Sequence, residues 1–137
     1  MNPAPHDFEA AADYLTLLFD EPTVRGVVRR LRTATITTKK AKDLLRASRL
    51  ELLPVDDHEL VRDLKKVKKG EQLSPVLLVR GGLGGDRPLT IADGYHRICA
   101  SYHLDEDADI PCRLADLPPP VVRPTPRPAK GTSRARR

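Results

Sequence analysis

The sequence has few cysteines, and neither stands in a pattern that binds zinc or performs dithiol chemistry. Cys99 and Cys112 are the only two in 137 residues, and neither belongs to a CxxC or Cys/His cluster. Structural zinc sites and redox dithiols need such close spacing. We therefore expect both thiols to be buried and reduced.

Long apolar runs are also missing. No stretch of about 18 apolar residues occurs, the minimum for a membrane-spanning helix, and the first residues lack a basic segment followed by an apolar one. These absences argue against membrane spanning and secretion. We expect a cytoplasmic protein with no membrane partner.

Positive charge is present but concentrated at one end of the chain. The formal net charge is +5, from 24 basic and 19 acidic residues. Residues 118–137 hold six of the basic residues and no acidic one, so the rest of the chain is close to neutral. This Pro- and Arg-rich tail is predicted to be disordered.

The first 49 residues have the spacing of amphipathic helices, and residues 1–49 are predicted to form a helical amino-terminal extension. Apolar positions predict one helix over Asp7–Phe19 and a second that begins at Pro22. Residues 33–38, which are rich in β-branched side chains, are interpreted as a turn. Thr37 or Thr38 is interpreted as the cap of a third helix that ends at Ser48.

Basic side chains are frequent in residues 25–49. Clustered cations bind phosphate backbones, but solvated amphipathic helices carry the same charges, and no recognition-helix signature is present. DNA binding through residues 25–49 and the basic tail is therefore one of two open interpretations.

Residues 50–117 alternate short apolar segments with amphipathic ones, which predicts a small α/β (α+β) domain. The run Val76–Val79 is continuously apolar, as expected of a central strand covered on both faces. A glycine-rich loop, residues 81–86, joins it to the next strand as a hairpin. The predicted strands are residues 50–55, 76–79, 89–92 and 110–114, and the predicted helices are residues 57–69, ending at Gly70, and 96–103.

Acidic residues open the first of these helices. Asp56 and Glu59 have the spacing of a capping box, with Asp57 between them. Carboxylates at such a place commonly cap the helix and complement its dipole.

The run Asp93-Gly94-Tyr95-His96-Arg97 lies between a predicted strand and a helix. Such a turn places free backbone N–H groups beside cationic side chains, and Gly94 allows close approach of a ligand, so it predicts an anion site. The alternative is structural: Asp93 caps the helix and Arg97 pairs with an acid.

Residues 50–115 resemble the ParB/sulfiredoxin superfamily, whose members place a Gly-x-[His/Arg]-Arg turn after a strand and before a helix. The resemblance implies a nucleoside triphosphate, ATP or CTP, whose phosphates contact Gly94, Tyr95, His96 and Arg97. It also implies Mg²⁺, with Asp93 as its protein ligand.

This chain differs from members of the superfamily at positions that determine which reaction they catalyse. Sulfiredoxins have a reactive cysteine where this chain has Tyr95, which argues against sulfinate reduction. The domain also resembles free-serine kinases, in which an acidic residue near the first helix acts as base. Asp57 and Glu59, beside Asp56, are the candidate catalytic residues that this likeness implies.

Two hypotheses follow for the function. The first is a nucleotide-dependent regulatory or DNA-associated module, as in ParB proteins, which clamp on DNA with cytidine triphosphate. The second is a small-molecule kinase or nucleotidase that uses the same turn to bind the triphosphate. The sequence does not decide whether the protein is an enzyme.

Overall fold

The computed structural model of the protein describes residues 5–71, 73–81 and 87–118. These ranges form a small α+β fold with a mixed sheet, as predicted. The helices are α1 (Pro5–Leu15), α2 (Glu21–Thr33), α3 (Ala41–Ser48), α4 (His58–Lys68) and α5 (Tyr95–Leu104), and the strands are β1 (Thr37–Lys40), β2 (Val76–Arg80), β3 (Thr90–Asp93) and β4 (Asp109–Asp116). None of these helices has the length and apolar character needed to cross a bilayer. The basic tail and the tip of the glycine-rich loop lie outside the described ranges.

The four strands lie in the order β1-β4-β2-β3. β2 pairs antiparallel with β3 and parallel with β4, so the prediction of a central strand joined by a hairpin to its neighbour is confirmed. β1 pairs antiparallel with β4 at one edge, where Thr37 lies opposite Cys112.

Helices cover both faces of the sheet because β2 is apolar on both sides. Val76 and Leu78 face a core formed with α3, α4 and α5. Leu77 and Val79 face a second core formed with α1 and α2, as the alternation of side chains along a strand requires. Burying both faces leaves the strand ends as the places where polar groups meet solvent.

The region expected to be an amino-terminal extension contributes to the same layered structure. Its helices α1 and α2 form one core with the sheet, and α3 joins the other. The segment interpreted as a turn instead leads into β1, because the exposed residues Thr37–Lys40 pair with the free edge of β4. The residue that caps α3 is Lys40, and it makes no side-chain capping bond, so the predicted threonine cap is wrong.

The strand predicted over residues 50–55 is absent from the described sheet. In this segment the carbonyl oxygen of Glu51 accepts a hydrogen bond from the hydroxyl of Tyr95, and that of Leu53 lies 2.7 Å from Nε2 of His103. Side chains of α5 therefore satisfy backbone carbonyl groups that a neighbouring strand would otherwise bond. Apolar patterning alone does not distinguish these two kinds of partner.

Both cysteines are free and buried, as predicted. They lie in the core that the sheet forms with α3, α4 and α5. Burial raises the pKa of Cys99, and it raises the pKa of Cys112 to about 11. Both thiols are therefore protonated at neutral pH, which suits a packing role.

Candidate anion-binding cavity

The junction of β3 and α5 leaves a helix amino terminus without a side-chain cap. Gly94 precedes α5 with a positive φ of 109°, and no side-chain hydrogen bond caps this helix. The N–H groups of the first turn, from Tyr95 to Arg97, are donors at the positive end of the helix dipole. This is the strand-turn-helix arrangement that the sequence predicts.

Position 94 requires glycine for two reasons. Its φ lies in the left-handed region, which other residues rarely adopt. A Cβ atom on Gly94 would also lie 2.5 Å from Cγ1 and 2.8 Å from Cβ of Val76. The start of α5 therefore packs directly against β2.

A cavity of about 390 Å³ opens at this helix start. Its other walls come from the first turn of α1, from one face of α4 and from the loop 71–74. Gly94, His96 and Arg97 all line it, and so does Asp93. The structure therefore brings most of the predicted phosphate-binding turn to one concave surface.

Arg97 is held by carboxylates from two other elements. Its guanidinium lies 3.5 Å from Asp7 of α1, pairs with Asp93, and donates to the carbonyl oxygen of Ser74 at 3.3 Å. The side chains of Arg97 and Asp7 are 13% and 9% exposed. Burial raises the pKa of Asp93, an effect that Arg97 opposes. The acid pairing considered for Arg97 is thus present in the structure.

His96 faces the two predicted catalytic carboxylates. Its Nε2 atom lies 3.1 Å from Oε2 of Glu59 and 3.7 Å from Oδ1 of Asp57. Asp57 accepts hydrogen bonds from the N–H groups of Glu59 and Leu60, so it is the cap of α4, and the assignment of this cap to Asp56 is wrong. Of the two carboxylates, only Glu59 lines the cavity.

Tyr95 does not present its side chain to the cavity. Its hydroxyl bonds to the segment before α4, and its ring packs against the core that contains Cys99. Burial raises the pKa of Tyr95. Any contact of Tyr95 with a ligand in the cavity therefore comes from its backbone N–H group.

The cavity wall also contains charged residues that sequence reasoning missed. Arg62, Asp63 and Lys66 lie on α4 at helical spacing from Glu59. Because of that spacing, the sequence could have predicted that these residues share one face of α4 with Glu59. The sequence could not have predicted that His6 and Asp7 line the cavity, because their position depends on how α1 packs. Burial raises the pKa of Asp63, and the nearby cations, Arg97 first, oppose this.

The predicted magnesium ligand does not stand in a preformed metal site. Across the described ranges, no group of three or more His, Cys, Asp or Glu residues could hold a metal ion. Asp93 is already bonded to Arg97. The residues present therefore do not fit an ion held by the protein alone, and Mg²⁺ at Asp93 stays a prediction for a nucleotide-bound state.

Several basic residues of the region 25–49 are neutralised by acidic neighbours. This pairing reduces the charge available to a nucleic acid, and DNA binding by this region stays a prediction. The pairs, with nitrogen to oxygen distances, are Arg25 with Glu21 (2.9 Å), Lys40 with Asp109 (3.0 Å), Lys42 with Asp107 (2.7 Å) and Arg46 with Asp43 (3.0 Å).

Comparison of the chain with protein-family models, curated proteins and solved structures finds no match.

Replacement of Gly94 by alanine is expected to destabilise the protein by about 2 kcal/mol, because the new methyl group overlaps Val76. Gly26→Ala is the matched control. A Cβ at Gly26 lies 3.7 Å from Arg30, an ordinary contact, so this helical substitution should stabilise by about 1 kcal/mol. Urea unfolding of both variants measures the difference, and equal effects of the same sign would contradict the packing at Gly94.

Asp63→Asn is expected to stabilise the protein at neutral pH. Because burial raises the folded-state pKa of Asp63, its ionised form costs stability above that pKa. The cost disappears as the pH falls toward the ordinary value of 3.8, where both states are protonated. Urea unfolding of both proteins as a function of pH tests this. A gain from Asn that persists undiminished in acid would contradict it.

Proposed function

We propose that the protein binds a nucleotide whose phosphates enter the cavity at the start of α5. The observation that supports this best is the meeting of an uncapped helix amino terminus with Arg62 and Lys66 across a cavity of about 390 Å³. This volume is in the range of small-molecule sites, roughly 300–1,000 Å³. Helix amino termini and clustered cations are the usual partners of phosphate.

The charges of the wall indicate how a phosphate would be accommodated. Glu59 and Asp63 face the same space as the cations. An incoming anion must therefore displace Glu59 both from His96 and from Arg62, which lies 3.5 Å from it, and is repelled by Asp63. Arg97 remains fixed by Asp7 and Asp93 and serves to position the turn. The backbone N–H groups, His96 and the two cations of α4 then supply the contacts.

The resemblance to the ParB/sulfiredoxin superfamily supports a nucleoside triphosphate, ATP or CTP, as the ligand. Magnesium would arrive with its phosphates, since Mg²⁺ in such sites is usually shared between phosphate oxygens and one or two carboxylates. The corresponding role is a nucleotide-dependent regulatory or DNA-associated module in the cytoplasm. The exposed basic residues of α2 and the basic tail are where DNA would bind.

Glu59 favours a second candidate, phosphoryl transfer to a small acceptor or to water. Its carboxylate lines the cavity and lies 3.1 Å from His96, whereas the carboxylate of Asp57 is engaged in capping α4. A carboxylate beside a phosphate site can accept the proton of the attacking hydroxyl group. Glu59, with His96 orienting it, is therefore the base in this mechanism.

Replacement of Arg62 and Lys66 by alanine is expected to weaken binding of magnesium nucleotide by about tenfold or more, because two charge-assisted contacts are lost. The matched control is Lys65→Ala with Lys68→Ala, which removes two exposed cations from the same helix outside the cavity. Isothermal titration with ATP, CTP and GTP measures the affinities. Absence of binding at millimolar nucleotide, or equal losses in both double variants, would contradict the proposal.

The substitution Glu59→Gln distinguishes between the two candidate functions, the regulatory module and the enzyme. If Glu59 is a base, formation of nucleoside diphosphate from the bound nucleotide falls by about a hundredfold while affinity is retained or improved. Asp57→Asn is the comparison, since it removes the other nearby carboxylate, keeps a side-chain cap for α4 and leaves the cavity wall unaltered. Wild-type protein that binds nucleotide but forms no nucleoside diphosphate, with or without acceptor, would rule out the enzyme.

A further inference from the structure

A second cavity adjoins the first along the loop 71–74. It has a volume of about 260 Å³ and shares Glu71, Leu73, Ser74 and Arg97 with the charged cavity. This is far more than the roughly 30 Å³ that one water molecule occupies in the liquid. The two cavities are therefore neighbours with a shared wall, and the second has room for an organic group beside the proposed phosphate site.

The walls of the two cavities differ in chemistry. The first is lined mainly by charged side chains, whereas Val67, Val76, Ile110 and Pro111 line the second. Ser101 and Asp109 add a hydroxyl group and a carboxylate to this largely apolar wall. A cleft divided in this way fits a ligand with an anionic end and an uncharged, largely flat body.

Arg97 lies at the boundary between the two cavities. It lines both cavities, and its guanidinium is fixed by Asp7, Asp93 and the carbonyl oxygen of Ser74. A fixed, planar guanidinium offers a face on which an aromatic ring can stack while its edge remains paired. Such a group can mark where the charged part of a ligand ends and its ring begins.

We infer that the second cavity receives the nucleoside part of the nucleotide, an assignment that rests on the proposed function. The phosphates lie at the start of α5, and the base enters the apolar space between the carboxyl end of α4 and the first residues of β4. Because Leu73 and Arg97 line both cavities, one ligand that spans the two is the simplest occupant.

The test compares Mg·ATP and Mg·CTP with Mg·tripolyphosphate, which has no nucleoside. Val67→Phe fills only the second cavity, and it is expected to weaken nucleotide binding by about tenfold while tripolyphosphate binds as before. Val55→Phe is the matched control, because Val55 is exposed and lines neither cavity. Ser101→Leu fills the same space from α5 and replaces Val67→Phe if that variant does not fold.

The outcomes are distinguishable. Nucleotide binding unchanged in the cavity-filling variants, or wild-type affinity equal for nucleotide and tripolyphosphate, overturns the nucleoside assignment and leaves the phosphate site intact. If the wild-type protein binds neither nucleotide nor tripolyphosphate, the proposed function fails, and this inference fails with it.

Discussion

The buried pairing of Arg97 with Asp7 and Asp93 is the interaction on which the cavity depends. It ties the first turn of α1 to the end of β3 and the start of α5, and the bond to the carbonyl of Ser74 adds the loop before β2. Three such buried charges are stable only together, because loss of one leaves the others without a partner in a poorly solvated place. This buried ion-pair network therefore fixes the geometry at the uncapped start of α5.

The pairing with Asp7 and Asp93 changes the role that the sequence predicts for Arg97. A guanidinium that already has two carboxylates and a carbonyl as partners is preorganised, and it has little freedom to wrap a phosphate. The other cations of the wall are Arg62 and Lys66 on α4. Arg62 lies 3.5 Å from Glu59, which also pairs with His96. The proposed binding of phosphate in this cavity would therefore be a competition between the ligand and the carboxylates of the protein itself.

Much of the fold was predictable because its signals are local. The apolar run Val76–Val79 and the glycine at position 94 each specify a strand or turn through residues adjacent in sequence. Pairing of β1 with β4 and packing of α1 beside Arg97 are contacts between distant residues, which periodicity does not encode. The apolar segment 50–55 shows the same limit, since its partners are the side chains of Tyr95 and His103 rather than a neighbouring strand.

The most direct test of the phosphate site is a two-dimensional amide NMR titration of the full chain with magnesium nucleotide. If the cavity binds phosphate, the largest saturable shifts occur at the N–H groups of Gly94, Tyr95, His96 and Arg97, accompanied by shifts on α4 at Arg62 and Lys66. If these signals do not move, or if shifts are confined to residues 25–49 and the basic tail, the cavity is not the nucleotide site.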